Sequence, residues 1–97
     1  MELEIKHEDN VSGGRYYAAL PGHAQEAELT YQRVRADLVI ADHTLVPPAA
    51  RGGGIAFQMV ERLIADARDG GYRIVPRCPY IAAQFARHPE WADVLQS

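Results

Sequence analysis

Several residue types and patterns are scarce in this sequence, and their scarcity excludes whole classes of protein. Cys78 is the only cysteine in 97 residues, so an intramolecular disulfide is excluded and a reducing compartment is favoured. No apolar run approaches the ~20 residues that a membrane helix needs. The segment 1–7 is charged and alternating, unlike a signal peptide. Together these features predict a cytoplasmic protein without a membrane partner.

A strong excess of charge of one sign is also missing. The formal net charge is −3, whereas nucleic-acid-binding proteins usually carry a clustered basic surface. We therefore expect no nucleic-acid partner. The four histidines are His7, His23, His43 and His88. They lie far apart, and none has metal-ligand spacing with another histidine or with the cysteine, so no metal site is expected.

The length and the ordinary composition predict a single domain that spans residues 1–97. Apolar residues make up 47% of the chain and charged residues 24%, as in soluble globular proteins. No internal repeat, linker or low-complexity segment interrupts it. We expect a monomer or a weak homodimer.

The first half of the chain has the alternation of β-strands. Leu3 and Ile5 alternate with charged residues, and three further β-prone runs follow at 15–20, 27–32 and 36–46. Short turn segments, among them 10–14, connect these runs, which favours antiparallel neighbours.

The run 36–46 is apolar on both faces, which predicts a central strand that is buried on both sides. Strict alternation places Leu38 and Ile40 on one face and a second set on the other: Val39, Ala41 and Leu45.

The second half changes to a helical period. Pro47-Pro48 stops the strand, and an amphipathic helix runs from Ile55 to Gly70-Gly71. A short strand at 72–75 and a second helix that begins at Pro79 follow. The chain therefore has the order ββββαβα. It predicts an α+β fold with a mixed, mostly antiparallel five-stranded sheet and two helices, in which the last two strands are parallel.

A glycine-rich turn, Arg51 to Ala56, lies between the central strand and the first helix. The first N–H groups of a helix have no intrahelical partner, and glycines let an anion approach them closely. Arg51 adds a fork-shaped charged donor that suits phosphate. The residues after the last glycine do not fit the Walker pattern, and the dinucleotide-binding spacing is missing. The turn therefore indicates an anion site, and a flexible surface turn is the alternative.

Longer motifs around this turn resemble those of the GNAT acetyltransferase superfamily. The segment Arg51-x-x-Gly54-x-Ala56 matches its Arg/Gln-x-x-Gly-x-Gly/Ala signature. Three flanking segments are similar to the small YjdJ-type branch: His43-Thr44-x-Val46-Pro47, Pro76-x-Cys78-Pro79-Tyr80 and His88-Pro89-Glu90. The resemblance runs from about residue 16 to residue 95.

This resemblance implies a fold and a cofactor. Two parallel strands, Leu38–Val46 and Arg73–Arg77, would splay apart, and coenzyme A would lie in the gap. Its pantetheine arm would pair with the backbone of Leu45 and Val46. Its pyrophosphate would contact the N–H groups of six consecutive residues: Arg51, Gly52, Gly53, Gly54, Ile55 and Ala56.

Three residues are candidates for catalysis. Cys78, at a helix N-terminus, is either a covalent acetyl acceptor, a donor to the departing thiolate or a small buried residue. His43 is either a general base or a residue that fixes the strand end. Tyr80 protonates the leaving thiolate or lines a tunnel, or else packs in the core. Asp42 is a weaker candidate.

The function that these features predict is acetyl transfer from acetyl-CoA to a small amine by direct attack. The alternative is a coenzyme A or acyl-CoA binding module or sensor, and a further alternative is an acetyl-CoA-binding protein that becomes self-acetylated at Cys78 or at Lys6. GNAT enzymes typically carry two further helices between their first strands, and this chain has no room for them. The acceptor pocket is therefore expected to be small, open or completed by another molecule.

Overall fold

A computed structural model describes residues 4–22 and 24–96 of the chain. Leu3 and His23 lie outside the described residues. The element order is ββββαβα, as predicted, with two added 3₁₀-helices at Pro48–Ala50 and Pro89–Val94. The strands and α-helices are β1 Lys6–Asn10, β2 Gly13–Ala18, β3 Ala27–Arg35, β4 Leu38–Leu45, α1 Ile55–Gly70, β5 Arg73–Pro76 and α2 Pro79–Arg87.

The five strands form one mixed sheet in the order β1-β2-β3-β4-β5. The first four are antiparallel to their neighbours, and β5 is parallel to β4. The predicted fold class is therefore confirmed. The predicted turn at 10–14 is shorter in the structure, because Asn10 pairs with Gly13 and only Val11 and Ser12 form the loop.

Only one face of the sheet is fully buried, and we call it the inner face. Val39 and Ala41 point to this face and have no exposed surface, whereas Leu38 and Ile40 on the outer face are only half-buried. The expectation that this strand is buried on both faces is therefore wrong. The physical reason is that both helices contribute to a single core with the inner face. That core includes Tyr16, Leu29, Val39, Met59, Val60, Leu63, Ile74, Ile81 and Phe85.

Helix α1 covers the inner face with the predicted apolar stripe. The residues of α1 that are buried are Met59, Val60, Leu63, Ile64 and Ala67. Gly71 ends the helix in the left-handed conformation, and its N–H binds the carbonyl of Ala67. The glycine pair at 70–71 therefore ends the helix as predicted.

An aromatic cluster joins α2 and the tail to the first turn of α1. The Trp91 ring stacks on His88 with 4.2 Å between centroids and meets Phe85 edge-on at 5.8 Å. Phe57 of α1 lies 6.0 Å from Trp91. Trp91 is only 6% exposed. This packing fixes the C-terminal end of α2 relative to the N-terminus of α1.

A polar network lies on the inner side near β1, at the C-terminal half of α1. The hydroxyl of Tyr16, which has no exposed surface, donates to Asp66 at 2.6 Å. Tyr31 donates to Asp9 at 2.6 Å, so its oxygen accepts from His7 Nε2 at 2.7 Å. Burial first, and then the hydrogen bonds to carboxylates, raise the pKa values of Tyr16 and Tyr31. These two phenols therefore stay protonated in the folded protein at neutral pH.

Candidate active site

Strands β4 and β5 separate where the sequence resemblance places a gap. Their parallel pairing ends at Ala41 and Pro76. The carbonyl of Ala41 then accepts hydrogen bonds from the N–H groups of Arg77 and Cys78, each at 3.0 Å, and the chain turns into α2. Strand β4 continues to Leu45, paired with β3. A gap therefore opens between the last residues of β4 and the start of α2.

A β-bulge interrupts β4 at the same level. Tyr31 and Thr30 are consecutive in β3, but they pair with Ala41 and His43. Asp42 is therefore an extra residue in β4. A bulge bends the strand and reverses the facing of the residues after it.

Hydrogen bonds from β3 hold the bulged carboxylate. Thr30 Oγ1 donates to Asp42 Oδ1 at 2.7 Å, and Gln32 Nε2 donates to Asp42 Oδ2 at 2.8 Å. Burial raises the pKa of Asp42, but these two hydrogen bonds, a backbone hydrogen bond and the nearby His43 together outweigh burial and leave the pKa below its ordinary value. Asp42 therefore stays ionised at neutral pH, and both of its oxygens are used in fixing the bulge.

The bulge turns Thr44 to the inner face. Thr44 lies opposite Leu29, an inner-face residue with no exposed surface, and Leu45 lies opposite Glu28 on the outer face. The predicted placement of Leu45 on the face of Val39 is therefore wrong, because strict alternation ends at the bulge. His43 is exposed on the outer face.

Cys78 lies next to Thr44, at the N-cap of α2. Its Sγ atom is 3.4 Å from Thr44 Oγ1, and the residue is 6% exposed. Pro79 occupies the first helical position, as predicted. Cys78 is held on both sides, because its N–H binds Ala41 and its carbonyl accepts from the N–H of Ala82.

The glycine-rich turn adopts backbone conformations that favour glycine. Gly52 and Gly54 have φ angles of 92° and 76°, in the left-handed region, whereas Gly53 has no positive φ. Gly54 is the N-cap of α1. A Cβ built at Gly52 or Gly54 would meet no atom within 4 Å, so the surface beside the turn is open. The glycines serve the backbone path and leave room for a ligand.

Arg51 extends along the turn towards β4. Its Nε donates to the carbonyl of Val46 at 3.1 Å, and the residue is exposed. The guanidinium therefore stands between the end of β4 and the start of α1.

These elements surround one cavity of about 480 Å³. Its described lining residues are Thr44, Val46, Ala50, Arg51, Gly52, Gly54, Ile55, Ala56 and Tyr80. Most of the predicted cofactor-binding residues therefore line the same cavity as Tyr80. Of the other predicted site residues, Leu45, Gly53, His43 and Cys78 lie outside the described lining. Thr44 and Ala50 were not predicted as site residues.

The cavity wall combines one cation with two hydroxyl groups. Burial raises the pKa of Tyr80 above its ordinary value, and the charge of Arg87 opposes this only in part. The Tyr80 phenol is therefore protonated at neutral pH and can donate. Thr44 supplies the second hydroxyl, and Arg51 is the charged residue among the described lining.

Two features are absent from residues 4–22 and 24–96. None of the described helices has both the length and the apolar character needed to cross a membrane. Across the same residues, no three His, Cys, Asp or Glu side chains are grouped so that they could hold a metal ion.

Comparison with known proteins defines the class to which this fold and site belong. The family model of GCN5-related N-acetyl-transferases matches residues 15–94. The chain therefore belongs to this family and is an acyltransferase. The predicted superfamily is confirmed, whereas the YjdJ-type branch stays a prediction.

A solved structure has the same fold. It is the NMR solution structure of a protein from Staphylococcus aureus that is described as a "GCN5-like putative N-acetyltransferase". The TM-score is 0.76 and the sequence identity 24%, over 98% of this chain and 89% of that one. No curated protein matches the chain.

Proposed function

We propose that the protein transfers an acetyl group from acetyl-CoA to a small amine acceptor by direct attack. The single observation that supports this most is that the gap beside β4 and the glycine-rich turn belong to one cavity. The gap between β4 and α2 opens directly onto the glycine-rich turn, so Tyr80 and Arg51 line the same space. One end of the cavity suits an anion, and the other end offers hydroxyl donors.

The turn fits a diphosphate. Helix geometry leaves the N–H groups of Ile55, Ala56 and Phe57 without intrahelical acceptors, since the first bond of α1 joins the Gln58 N–H to the Gly54 carbonyl. These N–H groups lie at the positive end of the helix dipole. The open space beside Gly54 lets a phosphate reach them.

Strand β4 supplies an edge for an extended ligand arm. Beyond Ala41 it pairs with β3, and its other edge faces the gap rather than β5. We propose that Leu45 and Val46 bind the pantetheine arm through this edge. The Arg51 side chain donates a hydrogen bond to the Val46 carbonyl. A diphosphate competes for the guanidinium, so binding frees that carbonyl for the ligand.

The transfer needs a base for the amine proton and a donor for the departing sulfur. We assign the donor role to Tyr80, whose phenol is protonated and lines the cavity. His43 is the proposed base. It is exposed on the outer face, so an amine would have to approach from that side. The outer face has no described helix over it, which is consistent with an open acceptor site.

The test is a thiol-release assay with acetyl-CoA and a panel of amines: spermidine, lysine, kanamycin and a short peptide. We expect release well above the rate without acceptor for at least one amine. A variant that removes the proposed phosphate contact, Arg51→Ala, should weaken coenzyme A binding in calorimetry. Arg35→Ala is the matched control, because Arg35 is exposed and pairs with Asp37 at the β3–β4 turn.

Two outcomes would favour the alternative of a binding module. Saturable coenzyme A binding without thiol release for any amine would overturn the proposed enzyme. A stoichiometric acetyl group on the protein, found by mass spectrometry and not passed on to an amine, would indicate self-acetylation at Cys78 or Lys6.

A further inference from the structure

We propose that Thr44 donates a hydrogen bond to the reacting thioester, and that Cys78 acts behind it as a positioning residue. This inference rests on the proposed acetyl transfer and concerns the same site. It assigns a role to Thr44, which belongs to one of the motifs behind the family resemblance but receives no role from that resemblance. It also gives Cys78 a role that differs from the three that the sequence leaves open.

Thr44 lies closer to the cavity than Cys78 does. Thr44 belongs to the described lining of the cavity, and Cys78 does not. Cys78 is 6% exposed, and its Sγ atom contacts Thr44 Oγ1 at 3.4 Å. A covalent acetyl carrier must bring its sulfur to the thioester carbon. Here Thr44 is the residue at the wall, and the Cys78 sulfur contacts Thr44 from outside the described lining.

The Thr44 hydroxyl and the Cys78 thiol each carry one proton that can be donated. A hydroxyl has one proton and two acceptor lone pairs, and a thiol is a weak donor. When the Cys78 S–H donates to Thr44 Oγ1, the hydroxyl proton remains free to point into the cavity. The thiol then fixes the direction of a donor that meets the ligand. We assign this arrangement to the pair.

The fold holds both members in place. The bulge at Asp42 turns Thr44 to the inner face, and the hydrogen bond from the Cys78 N–H to Ala41 anchors the start of α2. The two residues are therefore positioned from two elements that meet at the end of the β4–β5 pairing. Such preorganised donors stabilise charge that develops in a transition state.

The acetyl transfer needs no covalent enzyme intermediate. A nitrogen–carbon bond forms and a carbon–sulfur bond breaks, and the electron pair of the broken bond goes to sulfur. The amine proton goes to the base, and the thiolate takes a proton from Tyr80. Thr44 and Cys78 keep their own protons throughout.

The test measures kcat and KM for acetyl-CoA in four variants and one double variant. Thr44→Val keeps the shape and removes the donor, so kcat should fall about 100-fold with little change in KM. Thr44→Ser should restore activity. Cys78→Ala should lower kcat about tenfold, Cys78→Ser should keep most of it, and Cys78→Ala should add nothing in the Thr44→Val background.

Three results would overturn the inference while the proposed function stands. One is wild-type kcat in Thr44→Val. Another is a full additional loss from Cys78→Ala in the double variant. The third is an acetyl group on Cys78 in a quenched single turnover, which would make the cysteine a carrier.

A separate readout covers the case in which no amine is acetylated, a result that would refute the proposed function itself. Cys78 is the only cysteine, so iodoacetamide reports on it alone. If Thr44 stands between Cys78 and the cavity, Thr44→Ala should raise the alkylation rate several-fold and coenzyme A should suppress the increase. An unchanged rate, or an increase that coenzyme A leaves untouched, would refute the arrangement.

Discussion

Replacing Gly54 by alanine should damage both stability and cofactor binding, and the neighbouring glycine provides a matched control. Gly54 has a φ of 76°, and a left-handed backbone costs a residue with a Cβ about 1–2 kcal/mol. An added Cβ meets no atom within 4 Å, so backbone strain is the whole effect and no clash contributes. Gly53 has no positive φ, and its Cβ would lie 3.8 Å from the Ala50 carbonyl, an ordinary contact.

The expected result is therefore a clear difference between two single-methyl changes in one turn. In a domain of this size a loss of 1 kcal/mol lowers Tm by roughly 4–8 °C. Gly54→Ala should show that loss in thermal and urea unfolding, and it should weaken coenzyme A binding because the first N–H groups of α1 move. Gly53→Ala should leave Tm near the wild-type value. Equal unfolding curves for the two variants would refute the assignment of a left-handed N-cap at Gly54.

Three further predictions concern binding, pH and packing. Arg51→Ala should weaken coenzyme A binding about tenfold or more in calorimetry, since a charge-assisted hydrogen bond is lost. Burial raises the pKa of Tyr16, so its contribution to stability is complete below about pH 10 and is lost as the pH rises further, while the unfolded chain ionises. Tyr16→Phe should reduce the alkaline slope of urea-unfolding stability by up to about 1.4 kcal/mol per pH unit, and an unchanged slope would contradict this. Trp91→Ala should cost about 3–5 kcal/mol in urea unfolding, because Trp91 is buried among aromatic rings of both helices.

The fold was predictable because its signals are local. The period of 3.6 in α1, the glycines at 70–71 and the proline pair at 47–48 each act on their own segment, and each is found where the sequence places it. The exposure of the outer face of the sheet was not predictable from such local signals. The apolar outer residues Leu38 and Ile40 indicate a cover that the described helices do not provide.

The anion end of the site was predictable for a similar reason. A left-handed backbone at a helix start favours glycine, so the sequence of the turn reports its own geometry. The wall of the cavity was less predictable, since Thr44 and Cys78 are 34 residues apart and meet only through the sheet. A side-chain contact between separate strands and helices leaves no periodic signal in a single sequence.

Asp42, the extra residue in β4, determines which of the following side chains face the cavity. In a regular strand His43 would follow Val39 and Ala41 onto the inner face, and Thr44 would face outwards. The bulge at Asp42 exchanges these positions: His43 lies opposite outer-face Thr30 and is exposed. Two hydrogen bonds from β3 to the Asp42 carboxylate stabilise the bulge, and with it the exchanged positions of these two side chains. The donor that reaches the cavity is thus the Thr44 hydroxyl, and the His43 imidazole is left on the outer face, the side from which the proposed amine would have to come.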